Sequence, residues 1–167
     1  ICMGMIHLDS NGVFTKGEHH FEHIKPFENA KLCPESLAFT GIDPYQPLRF
    51  AVDEVDALEN LFKPIKAELK KTGCQRAVLV GHNAWFDLLF LKAACERTKV
   101  KSPFHAFTCF DTATLSGLIY GQTVLAKAIS EAHIAFVKNE AHSAIYDAEK
   151  TAELFCQMLN QWERMKK

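Results

Sequence analysis

The sequence lacks long apolar runs and closely paired cysteines. No apolar run reaches about 18 residues, the length that a transmembrane helix needs, so we expect no membrane span. No two of the six cysteines stand in a C-x-x-C spacing, which argues against a compact zinc or redox motif. We therefore expect reduced, mostly buried thiols, as in a cytoplasmic protein, at Cys2, Cys33, Cys74, Cys95, Cys109 and Cys156.

A dominant charge of one sign is also absent, because the formal net charge is -1. This balance neither favours nor excludes a nucleic-acid partner, since basic residues can gather on one face while carboxylates hold metal elsewhere. The sequence shows no repeat, low-complexity segment or linker. Its 167 residues, 48% of them hydrophobic, suffice for a sizeable core, and we predict a single domain over residues 1–167.

Strand and helix patterns alternate along the chain. Apolar stretches on both sides of the turn signal DSNG, residues 9–12, predict a β-hairpin. The predicted strands cover residues 1–8, 13–24, 76–80 and 107–110. The predicted helices cover residues 34–39, 53–72, 83–97 and 143–162, with one or two short helices between 111 and 132. This order predicts an α/β fold.

The stretch HNAWFD, residues 82–87, ends on an aspartate among large apolar side chains. Asn83 can cap the helix that follows, and helical spacing places Asp87 on the same face as Phe90 and Leu91. A bare carboxylate buried there would cost free energy, so it needs a cation or hydrogen-bond donors. The alternative is an exposed acid near the helix dipole. Polar and aromatic residues grouped where a strand leads into a helix favour a site.

A second carboxylate stands in a similar place. His142 and Asp147 lie at the start of the last predicted helix, where the alternative is again an acid near the helix dipole. Together with Asp87, they make a set that suits a hard divalent ion such as Mg²⁺ or Mn²⁺. Two such carboxylates are too few for a complete two-metal site. The apolar stripe of this helix is predicted at Ile145, Ala148, Ala152, Phe155, Leu159 and Trp162.

Two motifs resemble those of a known enzyme superfamily. H-N-x-x-F-D at residues 82–87 and H-x-x-x-x-D at residues 142–147 are similar to the second and third motifs of the DEDDh 3′-to-5′ exonucleases. Longer stretches resemble the ribonuclease T family, in order and over nearly the whole chain. They are CPESLAFTGIDP, AELKKTGCQRAVLVGHNAWFD, PFHAFTCFDTATLSGLIYGQTVLAKA and AHSAIYDAEKTAELF.

The resemblance implies a ribonuclease H-like fold, with a mixed sheet flanked by helices. It also implies removal of nucleotides from single-stranded 3′ ends of RNA, with DNA as a further substrate, by two Mg²⁺ ions per active site or by Mn²⁺. Asp87 and Asp147 would be metal ligands, and His142 the general base, a role that suits a group with a pKa near neutrality. Asp111 follows a predicted strand and could support the site.

The first motif of the superfamily, a D-x-E on the first strand, is not found in this chain. Asp9 sits in a turn signal, and Asp53 and Glu54 open a helix rather than a strand. We therefore expect that the first strand, with its two metal carboxylates, lies upstream of Ile1. A molecule that truly began at Ile1 would hydrolyse little or nothing, because half of the metal ligands would be missing.

The resemblance also implies how substrate is held. Phe39, Phe86 and Phe107 fall at positions that stack on the terminal bases, although most of the 13 phenylalanines must be core residues. Glu35 would hydrogen-bond a terminal base, and Asn83 would belong to the substrate site. Stacking tolerates any base, because every base has a π-face.

Basic residues at Lys70, Arg76 and Lys101 form a patch in the ribonuclease T family that serves the active site of the other subunit of a homodimer. From the sequence alone, the ordinary interpretation is a solvated face that complements the dipole of the preceding helix. The run of His19, His20 and His23 lacks nearby cysteine partners, so we predict exposed strand residues in preference to a zinc site.

Three functional hypotheses follow. The leading one is an exoribonuclease that trims the single-stranded 3′ ends of transfer RNA and other structured RNAs. The second is another DEDDh exonuclease, of the proofreading or oligonucleotide-degrading type, and the matches around Phe39 and Phe107 argue against it. The third is an inactive nucleic-acid-binding or dimerisation module, which only the missing D-x-E motif supports.

Overall fold

The fold places helices after strands, as the sequence predicts for an α/β protein. A computed structural model describes residues 1–137 and 143–166. Its strands are β1 (Cys2–Leu8), β2 (Phe14–Phe21), β3 (Ala77–Gly81) and β4 (Phe104–Asp111). Its helices are α1 (Pro34–Thr40), α2 (Glu54–Thr72), α3 (Ala84–Thr98), α4 (Thr112–Tyr120), α5 (Leu125–Glu131) and α6 (Ala144–Met165), with a 3-10 turn at Pro47–Arg49. No helix in these described ranges is long and apolar enough to cross a bilayer.

Strands β1 and β2 form the predicted hairpin. They pair antiparallel, and the carboxylate of Asp9 accepts hydrogen bonds from the amides of Asn11 and Val13, both at 2.8 Å. Gly12 completes the turn with a positive φ of 74°, which a glycine adopts without a Cβ clash. Asp9 therefore acts as a turn residue, in the way that its sequence context predicts.

Strands β3 and β4 form a parallel pair. Gly81 at the end of β3 pairs with Asp111 at the end of β4, so both strands finish at the same edge. We call this edge, where α3 and α4 begin, the carboxyl edge. The predicted mixture of strand directions is confirmed, although the described strands form two separate two-stranded sheets.

Helix α6 packs on both sheets, because it contacts β1, β2 and β3. Its buried residues are Tyr146, Thr151, Leu154, Phe155, Cys156 and Met158. The predicted stripe is buried at Phe155 and partly buried at Ile145, Ala148, Ala152 and Leu159. It was wrong at Trp162, which is 54% exposed, and burial extends to residues beside the stripe. The reason is that α6 is covered from two directions, since Leu154 and Met158 also join a cluster with Ile129 of α5.

Helix α3 buries only part of its predicted face. Ala84, Leu88 and Leu91 are buried, whereas Phe90 is 64% exposed. Helical spacing of four and three residues joins the buried positions, and Asp87 lies beside them on the exposed side. The predicted face is therefore correct at Leu91 and wrong at Phe90.

The cysteines are all free, in agreement with the sequence. The prediction that they are mostly buried was wrong, because only Cys156 is buried and both Cys33 and Cys74 are exposed. The exposed pair lies in a loop and beyond a helix end, where no packed element covers the chain.

Candidate active site

Two carboxylates stand in the first turns of the helices that flank β3. Asp87 lies in the first turn of α3, which follows β3 directly, and Asp147 lies in the first turn of α6, which contacts β3. The amide of Asp147 donates to the carbonyl of Ser143 at 2.9 Å, and the residue is half-buried. Both helices that carry these carboxylates therefore contact β3.

The carboxylate of Asp87 is held close to backbone. A Cβ atom added to Gly81 would lie 3.2 Å from Oδ2 of Asp87 and 3.1 Å from Cα of Ala84, so a side chain here would crowd both residues. The residue as a whole is exposed, yet local burial of its carboxylate raises its pKa, against the opposing effect of its backbone hydrogen bond. Such an under-solvated carboxylate fits a cation, which would stabilise its charged form.

Oxygen ligands of this kind suit hard divalent ions such as Mg²⁺. Within residues 1–137 and 143–166, however, no three His, Cys, Asp or Glu side chains gather as a metal-binding group. Asp87 and Asp147 alone would therefore make only part of a ligand set. His142, the predicted general base, lies outside the described residues.

The histidine run near the end of β2 forms no metal-binding group within the described residues. His19 is exposed, as predicted, and its Nδ1 lies 3.2 Å from the carboxylate of Glu149. His20 and His23 are half-buried, so the prediction of exposure was wrong for them. The reason at His23 is a contact between its Nδ1 and the guanidinium of Arg49, at 2.9 Å.

The three phenylalanines predicted to stack on bases are all exposed. Phe39, Phe86 and Phe107 are 69%, 52% and 79% exposed, respectively. Phe86 lies beside Asp87, and its ring centroid is 4.7 Å from that of Phe90. Large apolar side chains lose free energy by facing water, so their exposure favours contact with a ligand or partner.

Phe107 projects from an irregular part of β4. Ala77 pairs with Phe104 and Leu79 with Cys109, so residues 105–108 bulge out of register. Within the bulge, the amide of Thr108 donates to Nδ1 of His105 at 3.1 Å, and the rings of His105 and Phe107 meet edge-to-face at 4.6 Å. A β-bulge re-aims a side chain, which explains why Phe107 leaves the sheet surface.

Glu35 and Phe39 lie four residues apart on α1 and so share a face of that helix. Glu35 is exposed, and its Oε2 accepts a hydrogen bond from Sγ of Cys33 at 3.1 Å. This hydrogen bond lowers the pKa of Glu35. The carboxylate is therefore ionised at neutral pH and can accept hydrogen bonds from the N–H groups of a nucleobase.

Asn83 occupies the N-cap position of α3 but does not act as predicted. Its side chain makes no capping hydrogen bond, and its backbone is left-handed, with a φ of 62°. Its amide instead donates to Oδ1 of Asp111 at 2.7 Å. The helix therefore leaves the exposed Asn83 side chain available to a ligand.

The predicted basic residues are exposed and lie away from the carboxyl edge. Arg76 immediately precedes β3 and Lys101 shortly precedes the parallel strand β4, so both stand at the opposite edge, which Lys70 approaches through the end of α2. None of the three forms an ion pair with any residue that the structure describes. The five residues of β3, about 16 Å in length, separate this patch from Asn83.

The chain thus has a β-hairpin followed by a parallel pair of strands, with carboxylates at the helix starts beyond them. It matches a family of known proteins. The family model described as Exonuclease matches residues 1–155. The chain therefore belongs to the exonuclease family.

Within that family the chain is similar to proteins named Ribonuclease T. The one from Photorhabdus laumondii is 52% identical over 161 residues, which cover 96% of this chain and 74% of the relative. The one from Vibrio parahaemolyticus is 53% identical over 167 residues, covering 99% and 78%. The one from Cronobacter sakazakii is 52% identical over 159 residues, covering 95% and 71%.

These similarities confirm the enzyme class of the leading sequence hypothesis, an exoribonuclease. The chain is a DEDDh 3′-to-5′ exoribonuclease, a hydrolase that depends on divalent metal and acts on nucleic acid.

Proposed function

We propose that this exoribonuclease trims single-stranded 3′ ends of transfer RNA and other structured RNAs in the cytoplasm, with single-stranded DNA as a second substrate. The observation that carries the proposal is the under-solvated carboxylate of Asp87 at the carboxyl edge, in a chain of the exonuclease family. Strand ends of parallel sheets are where α/β proteins build their sites.

Asp87 and Asp147 would hold the metal, as two Mg²⁺ ions per site or Mn²⁺ in their place. The chemistry that a pair of bound divalent ions supplies is polarisation of a water molecule and stabilisation of the leaving oxygen. His142 is proposed from its motif alone to take the proton of that water, which an imidazole can do near neutral pH. The D-x-E carboxylates stay a prediction, which the native coding sequence ahead of Ile1 tests directly.

The terminal nucleotides would be held by the exposed side chains around this edge. Phe39, Phe86 and Phe107 would stack on bases, and the ionised Glu35 would accept a hydrogen bond from a base N–H group. The exposed side-chain amide of Asn83 can both donate and accept hydrogen bonds, and Asn83 lies four residues before Asp87. Stacking of this kind accepts any base, which suits an enzyme that shortens many different ends.

The basic patch of Lys70, Arg76 and Lys101 supports a homodimer. It lies at the edge of the β3–β4 pair opposite Asn83, so the phosphates that it binds would not lead directly into the active site of the same subunit. A second copy in antiparallel orientation would bring its patch to this site. We propose that the patch of each subunit binds RNA for the site of its partner.

The patch makes a specific prediction. Replacing both Lys70 and Arg76 with Ala should weaken RNA affinity about tenfold and reduce the slope of log affinity against log salt by roughly 1.4, because two phosphate contacts are lost. Fluorescence anisotropy with a single-stranded RNA at several salt concentrations measures both quantities. Lys92→Ala with Lys127→Ala is the matched control, since it removes the same charge from exposed positions elsewhere. An unchanged salt slope in the patch variant would contradict the proposal.

Mixing subunits tests whether the patch acts on the other site. Dimers formed from Asp87→Asn subunits and patch-variant subunits contain one site with an intact carboxylate and an intact patch opposite it. Activity of the mixture should therefore exceed that of either variant alone. If heterodimers form and activity does not rise, the patch either serves the active site of its own subunit or does not bind RNA.

The central experiment tests polarity and metal together. The protein expressed from its complete reading frame is given Mg²⁺ and an RNA hairpin with a labelled 5′ end and a single-stranded 3′ tail. We expect the product to shorten one nucleotide at a time from the 3′ end, with no reaction on a 3′-phosphorylated substrate or in excess EDTA. Internal cleavage, or turnover that resists EDTA, would rule out the proposed mechanism. A matched DNA hairpin measures the second substrate class.

A further inference from the structure

A single carboxylate accepts hydrogen bonds from the first amides of two helices at the carboxyl edge. Oδ1 of Asp111 accepts hydrogen bonds from the amides of Asn83 at 2.7 Å, Ala84 at 3.4 Å and Ala113 at 3.2 Å. Its Oδ2 accepts from the amide of Thr114 at 3.3 Å and from its hydroxyl at 2.7 Å. Asp111 is thus the N-cap of α4 and at the same time the acceptor for the first amides of α3.

The next residue holds the rest of the turn that leads from β3 into α3. Thr112 is fully buried, and its Oγ1 lies 3.1 Å from the carbonyl of Gly81 and 3.0 Å from Nδ1 of His82. Nε2 of His82 in turn lies 2.8 Å from the carbonyl of Thr123, beyond α4. We call Asp111 and Thr112 the junction clamp, because together they contact each of residues 81–84.

The turn into α3 needs such support from outside. Asn83 holds a left-handed backbone, which is strained for a residue with a side chain, and it gives the helix no side-chain cap. The first amides of any helix lack partners within the helix itself. Without Asp111, those of α3 would lose their acceptor, and the helix start could shift.

A shift at this point would reach Asp87 at once. Asp87 stands one turn into α3, and its Oδ2 lies 3.2 Å from the point that a Cβ at Gly81 would occupy. Metal sites require their ligands to stay within roughly 0.5 Å of the productive position. Small movements of the turn would therefore change the geometry that Asp87 offers to a cation.

We propose that the junction clamp of Asp111 and Thr112 positions Asp87 for metal binding without touching the metal. This inference rests on the proposed role of Asp87 as a metal ligand. Asp111 itself has both oxygens occupied by five donors, more than the roughly four lone-pair sites of a carboxylate, so it has no capacity left for a cation. It acts as a positioning residue rather than as a ligand.

The charge state of Asp111 agrees with this role. Partial burial by itself would raise its pKa, but hydrogen bonds from the Thr114 side chain and from the amides of Ala113, Asn83 and Ala84 outweigh that effect and lower the pKa. The carboxylate therefore stays ionised at neutral pH and acts only as an acceptor.

The test is the affinity of the full-length protein for Mn²⁺ alone, measured by titration with detection of free Mn²⁺ by electron paramagnetic resonance. Asp111→Asn replaces one acceptor oxygen by an NH₂ group, which must face either the α3 amides or Thr114. We expect it to fold with Mn²⁺ affinity weakened about 10- to 100-fold, the usual effect of losing a partner that orients a ligand. Its activity should recover in part at saturating Mg²⁺, because the defect lies in metal binding.

A matched control separates positioning from general loss of stability. The side chain of Asn160 on α6 also bridges to backbone, through bonds of 2.8 and 2.9 Å with Phe14, and it lies about 20 Å along the helix from Asp147. Asn160→Ala should lower the melting temperature and leave Mn²⁺ affinity unchanged. If Asn160→Ala weakened Mn²⁺ binding as much as Asp111→Asn, the positioning role would be lost, because any destabilisation would have the same effect.

A second pair of variants covers the case in which Asp111→Asn does not fold. Thr112→Val keeps the shape of the side chain and removes its hydrogen bonds to Gly81 and His82, so it should weaken Mn²⁺ binding about tenfold. Thr112→Ser keeps the hydroxyl and should restore the affinity of the unchanged protein. Wild-type affinity in Thr112→Val would overturn the inference.

The Asp87→Asn variant separates a failure of the proposed metal role of Asp87 from a failure of the positioning role of the clamp. Asp87→Asn should abolish specific Mn²⁺ binding at the site. If it binds Mn²⁺ like the unchanged protein, the proposed metal role of Asp87 fails, whatever the clamp variants show. If it loses Mn²⁺ while the folded clamp variants keep wild-type affinity, the positioning role fails and the proposed function stands.

Discussion

Replacing Asp87 with Asn is expected to reduce kcat by about 10³-fold or more and, at the same time, to make the metal-free protein more resistant to heat. The loss of turnover follows from the proposed role of Asp87 as a metal ligand, because a bound metal ion contributes several kcal/mol to stabilising the transition state. The gain in stability follows from the carboxylate, which is charged in a place that disfavours charge. Activity and stability should therefore move in opposite directions.

The pH dependence of this stability gain has a definite sign. Burial raises the pKa of Asp87 in the folded protein, so the folded state binds the proton more tightly than the unfolded state. The stability from this group is then full below the unfolded pKa of about 3.9 and is lost as pH rises through the folded pKa. Asn has no such loss, so the stability of Asp87→Asn relative to the unchanged protein should increase from acid to neutral pH.

Melting temperatures in EDTA across that pH range measure the effect, and single-turnover kinetics with Mg²⁺ measure activity. Asp56→Asn is the control, since Asp56 is another exposed acid in the first turn of a helix. It should keep normal kinetics. Adding Mg²⁺ should stabilise the unchanged protein more than Asp87→Asn, because a ligand stabilises only the state that binds it. Normal turnover in Asp87→Asn, or a lower melting temperature without metal, would refute this account.

Replacing Phe86 or Phe107 with Ala should impair substrate use far more than folding. Each stacked base contributes roughly 1–3 kcal/mol, which corresponds to about a 5- to 150-fold rise in KM for the single-stranded tail. Both side chains are at least half exposed, so their removal costs little buried area and should change the melting temperature only slightly. Steady-state kinetics on the tailed hairpin and thermal unfolding give the two quantities.

Trp162→Ala is the control for this pair. Trp162 is 54% exposed, close to the 52% of Phe86, but it lies near the end of α6 and contacts the Lys166 ammonium. Its removal should leave KM unchanged. A large loss of folding stability in Phe86→Ala, combined with normal exonuclease kinetics, would show that the ring is a packing residue and not a base platform.

Local signals in the sequence were enough to predict where most elements begin and end. The turn at Asp9, the end of α1 at Gly41 and the end of α2 at Gly73 all depend on residues whose backbone preferences act within a few positions. The two exonuclease motifs are also local, since each places its polar residues within six consecutive positions. For this reason the fold class and the family could be predicted without coordinates.

The faces of the helices were decided only by tertiary structure. A sequence pattern shows that a helix has an apolar side, but which side is buried depends on what covers it, and α6 is covered by two sheets and α5. The predicted core role of Trp162 and of Phe90 failed for this reason. Exposure of Phe107 likewise depends on a bulge in β4, which exists only relative to the register of β3.

The sequence by itself determined the enzyme family and the candidate site residues: two helix-start carboxylates, a histidine and three phenylalanines in a recognisable order. Tertiary structure alone decided how the start of α3 is held, because Asp111 is 24 residues beyond Asp87 in the chain and meets the amides of Asn83 and Ala84 only when β3 and β4 pair. Hydrogen bonds act over about 3 Å, whereas a sequence specifies neighbours only along the chain. Contacts between distant segments therefore follow from the fold as a whole.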